Sequence, residues 1–150
     1  MKLLIRPMEV RDTGQVIALE LRSGMTPWQA SHYDELMSAA ASICLVAEEA
    51  PVTRIVGCIL GRIAVPEMEI YKLVVDSPCR RRGLGHEMLV RSVDLGRSHG
   101  ADTCFLEVRE SNSAAQSFYR ALGFERYGVR PAYYTGPVEA AVLMRLHLQP

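Results

Sequence analysis

Residues 68–89 read MEIYKLVVDSPCRRRGLGHEML, and this stretch decides the fold. An apolar run is followed by a turn, by three arginines and by a Gly-x-Gly pair, which predicts a strand, a loop and a helix that begins at Gly83. Backbone N–H groups at a helix start lack an intrahelical acceptor, and the helix dipole is positive there. The stretch therefore predicts a binding site for a phosphate.

The side chains around this loop strengthen the phosphate prediction. Gly83 and Gly85 leave the approach to the backbone open, and guanidinium groups add bidentate contacts and long-range attraction. Three adjacent arginines cannot all point in one direction, so we expect one or two of them to be solvated. A glycine-containing loop with a basic surface is the simpler alternative, but the strand before and the helix after weigh against it.

Composition restricts the class of protein. The chain has 150 residues, which predicts one domain over residues 1–150, and its formal net charge is +0 at pH 7. A nucleic-acid or anionic-membrane binder needs a broad basic face, so we predict neither kind of partner. No signal-peptide pattern and no run of membrane-spanning length is found, which predicts a cytoplasmic location.

The four cysteines are far apart in the sequence and show no metal-binding spacing. We predict reduced, mostly buried thiols and no metal site.

The order of the predicted elements indicates a mixed α/β fold. A strand at 2–7 precedes two helices, one opened by a capping box at 12–15 and closed by Gly24, the other with Thr26 as its cap and Pro27 as its first residue. Further strands are predicted at 42–48, 54–65, 67–76, 103–108, 124–129 and 140–148, with helices at 83–98 and 114–121. A strand, a crossover helix and a strand predict one parallel pair in the sheet.

Three phosphate-loop patterns compete for this stretch. The Walker pattern requires Gly-Lys-Ser or Gly-Lys-Thr after a fixed spacing, and the chain does not contain it. The dinucleotide pattern requires a third glycine where Met88 stands, although Glu107 supplies an acidic residue near the end of the next strand. NAD binding therefore remains an alternative.

The third pattern is Gln or Arg, two residues, Gly, one residue, then Gly or Ala, and residues 80–85 match it. A second match covers residues 106–124, LEVRESNSAAQSFYRALGF. Both motifs resemble the GCN5-related N-acetyltransferase (GNAT) family, and more narrowly its bacterial members that acetylate the N-terminal alanine of a small-subunit ribosomal protein. The resemblance runs from about residue 67 to residue 148. It implies the family's fold: a mostly antiparallel sheet of about seven strands with a central parallel pair, flanked by about four helices.

The resemblance also implies acetyl-CoA as the donor and assigns residues to it. The backbone of Leu73, Val74 and Val75 would hold the pantetheine arm, and the loop residues Arg80, Arg81, Arg82, Gly83, Leu84, Gly85 and His86 would hold the pyrophosphate. Asn112 matches an asparagine that contacts the coenzyme. It also fits the cap of the following helix, and the two roles are compatible.

Two further matches concern the reaction itself, because Glu107 matches the family's general base and Tyr119 its general acid. Strand alternation places Cys104, Leu106 and Val108 on one face of the sheet and Glu107 on the other. A solvated carboxylate and a packed helical tyrosine are the structural alternatives for these two residues. One glutamate is sufficient to deprotonate an α-amine with a pKa of about 7.7–8.0. Deprotonating a lysine side chain at pH 7 costs roughly 3.4 kcal/mol more.

The acceptor is the least determined part of the prediction. Tyr133 and Tyr134 resemble the peptide-gripping segment of enzymes that acetylate protein N-termini, and the helix junction that ends at Tyr33 is expected to face them. We predict a protein or peptide N-terminus, belonging to a ribosomal protein, as the partner. Acetylation of lysine side chains or of a small amine, and a non-catalytic CoA-binding module, remain alternatives. The sequence indicates no oligomeric state.

Overall fold

The computed structural model describes residues 2–149, and these form one seven-stranded sheet with four α-helices. The strands are β1 (Lys2–Pro7), β2 (Ser42–Ala50), β3 (Arg54–Ala64), β4 (Glu67–Val75), β5 (Thr103–Arg109), β6 (Glu125–Tyr134) and β7 (Glu139–His147). The α-helices are α1 (Thr13–Arg22), α2 (Ala30–Ser38), α3 (Leu84–Ser98) and α4 (Ser113–Ala121).

The strands lie in the order β1-β2-β3-β4-β5-β7-β6. Every neighbouring pair is antiparallel except β4 and β5, which the crossover helix α3 joins in parallel. The predicted mixed α/β class, with a mostly antiparallel sheet and a central parallel pair, is confirmed.

Helices cover both faces of the sheet. Val16 and Leu19 of α1 and Leu36 of α2 belong to one buried cluster, whereas Leu84 and Met88 of α3 belong to the other. Tyr119 of α4 lies in the α3 cluster. We call the two sides of the sheet the α1/α2 face and the α3/α4 face.

A β-bulge in β4 shapes the centre of the sheet. Lys72 pairs with Leu60 and Ile70 pairs with Gly61, so Tyr71 is an extra residue on its strand. Gly61 is required here, because a Cβ atom at this position would collide with the carbonyl oxygen of Glu69. Bulges increase the local twist of a strand, and this one directly follows Ile70, the last residue of β4 that pairs with β5.

The bulge also changes which face the side chains of β4 occupy. Met68 and Ile70 are buried in the α3/α4 cluster, whereas Val74 is buried in the α1/α2 cluster. Tyr71 and Lys72 are consecutive, yet both contact Trp28 beside α2. Regular alternation from Met68 would have placed Lys72 on the α3/α4 face.

The first predicted helix begins after Asp12 as expected, but its cap needs correction. The Asp12 carboxylate does not cap α1, because it accepts two hydrogen bonds from the Arg6 guanidinium and one from the backbone N–H of Glu9. The second helix does not begin after Thr26, because α2 begins at Ala30. At Asp12, contacts with the preceding residues replace the predicted capping bond.

Candidate active site

The loop between β4 and α3 presents a row of backbone donors. Among the described residues, the amides of residues 81–86 donate to no protein acceptor, whereas the Arg80 and Glu87 amides on either side are paired with the carbonyls of Ser77 and Gly83. Gly83 precedes the helix with a φ of 79°, and no side chain caps α3. Free N–H groups at the start of a 15-residue helix form a geometry that suits an anion.

The three arginines have different surroundings. Arg80 donates from Nε to the carbonyl oxygen of Val75 at 2.9 Å and so closes the loop onto the end of β4. Arg81 has a φ of 64°, an uncommon conformation for a residue with a side chain, and both it and Arg82 are exposed. Leu84 is buried, so only its backbone is available to a ligand.

The end of β4 is anchored just before this loop. Asp76 accepts a hydrogen bond from Nε of Arg22 at 3.0 Å and one from Nη2 of Arg54 at 2.8 Å. The hydrogen bond from Arg22 is the main cause of the lowered pKa of the Asp76 carboxyl group. Helix α1 and strand β3 therefore fix the position from which the phosphate loop departs.

The parallel pair of β4 and β5 opens into a fork. The strands pair with each other from Glu67 and Thr103 as far as Ile70 and Leu106. Beyond that point β4 continues to Val75 and β5 to Arg109, and the two strands no longer pair with each other. Beyond the fork β4 is paired only with β3.

Leu73, Val74 and Val75 lie on this part of β4 and pair with β3 alone. The backbone edge that they present toward β5 has no strand partner, so it is available to an extended ligand.

Helix α4 lies beside the fork on the α3/α4 face. A Cβ atom placed on Gly85 would lie 3.6 Å from Phe118 of α4 and 3.6 Å from Val75. The phosphate loop, the end of β4 and α4 are therefore neighbours. Asn112 caps this helix, because its Oδ1 accepts the backbone N–H of Ala115 at 3.1 Å.

Glu107 follows Leu106, the last residue of β5 that pairs with β4, and lies on the α1/α2 face. Its neighbours Leu106 and Val108 are buried on the opposite face, as the alternation predicted. An Nη1 nitrogen of Arg130 lies 3.2 Å from the Glu107 carboxylate. A hydrogen bond to Glu107 is also the main cause of the raised pKa of the Tyr133 hydroxyl group. The carboxylate therefore lies at the fork between a guanidinium and a phenol.

Tyr119 lies on the other side of the sheet. It is 8% exposed and packs edge-on against Phe118 and Phe124, with ring centroids 5.2 Å and 5.6 Å away. Burial raises its pKa to about 12, so the hydroxyl group keeps its proton at neutral pH. Glu107 and Tyr119 therefore occupy opposite faces of the sheet, on the strand and the helix that border the fork.

The three tyrosines that were predicted to bind substrate lie in different surroundings. Tyr133 and Tyr134 lie at the end of β6, not in the following loop, and their ring centroids are 5.0 Å apart. Tyr33 is 1% exposed, donates a hydrogen bond to Glu20 and accepts one from the backbone N–H of Trp28. Its ring and hydroxyl group are occupied by the core, so the prediction that Tyr33 contacts substrate is wrong.

A buried polar network beneath the α1/α2 face was missed by the sequence reasoning. Nζ of Lys72 lies 2.7 Å from the Glu20 carboxylate and 4.4 Å from the centroid of the Trp28 ring. Tyr33 donates to the same carboxylate oxygen at 2.9 Å. The sequence did contain a signal for this network, which is a lysine within the apolar residues 70–75. Lysine is almost never buried without a partner, so its presence there predicts a buried carboxylate nearby.

Two open depressions lie on the α1/α2 face. One has a volume of about 250 Å³ and is lined by Trp28, His32, Glu35, Leu36, Ala39, Arg62 and Tyr71. The other, of about 140 Å³, is lined by Arg62, Ala64, Glu67, Met68, Glu69, Tyr71 and Phe105. They share Arg62 and Tyr71, so they lie side by side between β5 and α2, and we call the two together the groove. Tyr133 and Tyr134 do not line either depression.

Other properties of the chain agree with the sequence predictions or leave them open. All four cysteines are free thiols, and three of them are buried. Within residues 2–149, no helix is both long and apolar enough to cross a membrane.

Comparison with known proteins identifies the family. The model of the Acetyltransferase (GNAT) family matches residues 14–124. The [ribosomal protein bS18]-alanine N-acetyltransferase of Escherichia coli is 35% identical over 89 residues, which cover 58% of this chain and 60% of that enzyme. An uncharacterised Mycobacterium leprae protein is 35% identical over 133 residues, but the match spans 84% of this chain and only 35% of that protein.

A solved structure agrees with these sequence matches over nearly the whole chain. The crystal structure of the ribosomal-protein-S18-alanine N-acetyltransferase from Escherichia coli has a TM-score of 0.87 and 25% sequence identity, and the match covers 99% of this chain and 96% of that one. The free amides, the fork and the two motifs agree with the family match. The chain belongs to the acetyltransferase (GNAT) family and is an N-acetyltransferase that uses acetyl-CoA.

Proposed function

We propose that this enzyme acetylates the N-terminal α-amine of a protein. The acceptor that we propose is the N-terminal alanine of ribosomal protein bS18. Support for this acceptor comes from the E. coli relative that carries that name and from the matching solved structure. The observation that carries the proposed mechanism is the fork, with the Glu107 carboxylate on one face and Tyr119 on the other.

The donor fits the α3/α4 side of the fork. The free amides of residues 81–86 would hold the pyrophosphate, with Arg81 and Arg82 adding positive charge. The unpaired edge of Leu73, Val74 and Val75 would hold the pantetheine arm, and the exposed Asn112 would contact the coenzyme while it caps α4. When bound, acetyl-CoA supplies an activated thioester.

Glu107 and Tyr119 would then carry the protons. Glu107 accepts a proton from the acceptor amine on the α1/α2 face, directly or through a water molecule. Tyr119 donates a proton to the departing thiolate on the α3/α4 face, since its raised pKa keeps it protonated. The amine attacks directly, and the buried Cys104 takes no part, because burial raises the pKa of its thiol to about 12.

The groove on the α1/α2 face favours a peptide acceptor. Its two depressions are lined by residues from Phe105 on β5 to Ala39 beyond α2, so together they span several elements of the fold. Both depressions are open at the surface, which suits a chain that continues beyond its first residue. Neither depression is the enclosed acidic pocket expected for a small amine.

The experiment offers three acceptors in parallel with acetyl-CoA. These are the N-terminal peptide of bS18, the same peptide with a blocked N-terminus and one internal lysine, and a polyamine. We expect mass spectrometry to show acetylation of the first alone, at its α-amine. Acetylation of the lysine peptide or of the polyamine at an equal or higher kcat/KM would overturn the proposed acceptor. Binding of acetyl-CoA without transfer to any of them would favour a non-catalytic CoA-binding module.

A further inference from the structure

We propose that Glu69 is a second carboxylate of the acceptor site, which binds the incoming ammonium group together with Glu107 and so selects amines in their charged form. This inference deepens the proposed function, because it names how an amine is recognised before transfer. It uses a residue that neither sequence motif contains.

The strand register places the two carboxylates on either side of the fork. Parallel pairing ends at Ile70 and Leu106, so Glu69 lies one residue before that point on β4 and Glu107 one residue after it on β5. Ile70 and Leu106 are buried on the α3/α4 face, which directs Glu69 and Glu107 to the α1/α2 face. Glu69 is directly paired with Phe105, so Glu107 is its diagonal neighbour on that face.

The two carboxylates differ in their partners. Glu107 is engaged by Arg130 at 3.2 Å. Among residues 2–149, no lysine, arginine or histidine nitrogen lies within 4.0 Å of the Glu69 carboxylate. Arg62 is its cross-strand partner on β3, but the guanidinium does not approach the carboxylate within that distance. The Glu69 carboxylate is therefore free to bind an incoming cation, whereas the Glu107 carboxylate already contacts Arg130.

The surroundings of Glu69 support this role. Its side chain lines the 140 Å³ depression together with Phe105 and Tyr71. Desolvation and the negative charge of Glu107 raise the pKa of Glu69, and Glu67 contributes in the same direction, whereas Arg130 opposes them. Two neighbouring carboxylates repel each other, and an ammonium group placed between them relieves that repulsion.

Glu69→Gln is the test variant and Glu49→Gln is its matched control. Glu49 is a partly exposed strand glutamate of β2 and lines neither depression. We expect Glu69→Gln to raise KM for the acceptor about tenfold at pH 6.5, as for the loss of one charge-assisted hydrogen bond. KM for acetyl-CoA should not change, and Glu49→Gln should change neither constant by more than about twofold.

A pH series separates ammonium binding from a structural effect. At pH 9 an α-amine with a reference pKa of about 7.7–8.0 is mostly neutral, so the defect of Glu69→Gln should shrink to less than about twofold. A defect that is equal at pH 6.5 and pH 9, or one that Glu49→Gln reproduces, would overturn the proposal.

A binding measurement keeps this test independent of the proposed acceptor. Calorimetry with CoA-loaded protein compares the bS18 peptide carrying a free N-terminus with the N-acetylated peptide, and a polyamine serves as a second probe. Glu69→Gln should weaken binding of the cation that the wild-type protein prefers, whichever it is, and leave the acetylated peptide unaffected. Equal binding by wild-type and Glu69→Gln protein refutes the role of Glu69. A wild-type preference for the polyamine refutes the proposed acceptor alone.

Discussion

Arg130 reaches across β7 to place its Nη1 nitrogen 3.2 Å from the Glu107 carboxylate at the fork. If Glu107 is the base, Glu107→Gln should lower kcat by about 10²-fold or more, the usual contribution of a positioned base. Arg130 is 53% exposed, so Arg130→Gln should cost less than about tenfold, since exposed ion pairs contribute little. Steady-state rates with saturating acetyl-CoA measure both. An equal loss of kcat in the two variants would mean that catalysis depends on the ion pair and not on the Glu107 carboxylate alone.

Tyr119 offers a separate test of the proposed acid. Tyr119→Phe should lower kcat by about 10²-fold while leaving stability nearly unchanged, because the hydroxyl group makes no hydrogen bond among the described residues. Tyr127→Phe is the control, since Tyr127 packs against Phe105 on the α1/α2 face. Rates and thermal unfolding are measured on both variants. A Tyr119→Phe enzyme that retains more than half of the wild-type kcat would exclude the tyrosine as the acid.

Gly83 tests the geometry of the phosphate loop. An alanine at its φ of 79° meets no neighbouring atom within 4 Å, so the cost of Gly83→Ala is conformational, about 1–2 kcal/mol. The amides that precede α3 should be displaced, and the Kd for CoA should rise. Gly14→Ala in α1 also meets no atom within 4 Å but needs no left-handed backbone, so it should leave CoA affinity unchanged. Calorimetric titration with CoA compares the two.

These sites show how far periodicity and motifs lead. The strand alternation that placed Glu107 opposite Leu106 and Val108 needed only the sequence, because a strand has a fixed period of two. The loop at residues 80–85 was equally readable, since the helix start and its glycines are local features. The prediction for Tyr33 failed because helical position alone does not tell a packed tyrosine from an exposed one.

The missed residues depend on long-range register. Lys72 reaches the α1/α2 face only because the bulge at Tyr71 shifts the alternation of β4, and that bulge requires Gly61 on a different strand. Glu69 becomes a neighbour of Glu107 only through the pairing of β4 with β5. In both relationships the partners lie on different strands, so the pattern of a single strand does not show them.

Asp76 predicts how stability depends on pH. Its pKa is lowered in the folded protein, so its contribution is fully present above the unfolded value of about 3.9 and is lost as the pH falls through the lower folded value. Asp76→Asn should reduce the free energy of unfolding at pH 7 by about 1–3 kcal/mol, because Arg22 and Arg54 lose a charged acceptor.

Urea denaturation from pH 7 to pH 2.5 measures this difference. The difference between the two proteins should shrink as the pH falls below about 3.9 toward the lowered pKa of the folded protein. The lowered pKa of Asp12 has the same sign, but Asp12 is present in both proteins and cancels from their difference. A gap that stays constant over the whole range would show that the Asp76 charge contributes nothing.

The Lys72 and Glu20 pair predicts a large cost for breaking one half. Lys72→Met leaves the Glu20 carboxylate buried at 0% exposure without its cation, so the free energy of unfolding should fall by about 3–5 kcal/mol. The double variant Glu20→Leu/Lys72→Met removes both charges and should recover most of that loss, although the Tyr33 hydroxyl group then lacks its acceptor. Urea denaturation measures all three proteins. A double variant that is less stable than Lys72→Met would mean that the charges stabilise the fold.

Since Lys72 packs on the Trp28 ring that lines the groove, the folded double variant should raise KM for the acceptor more than KM for acetyl-CoA.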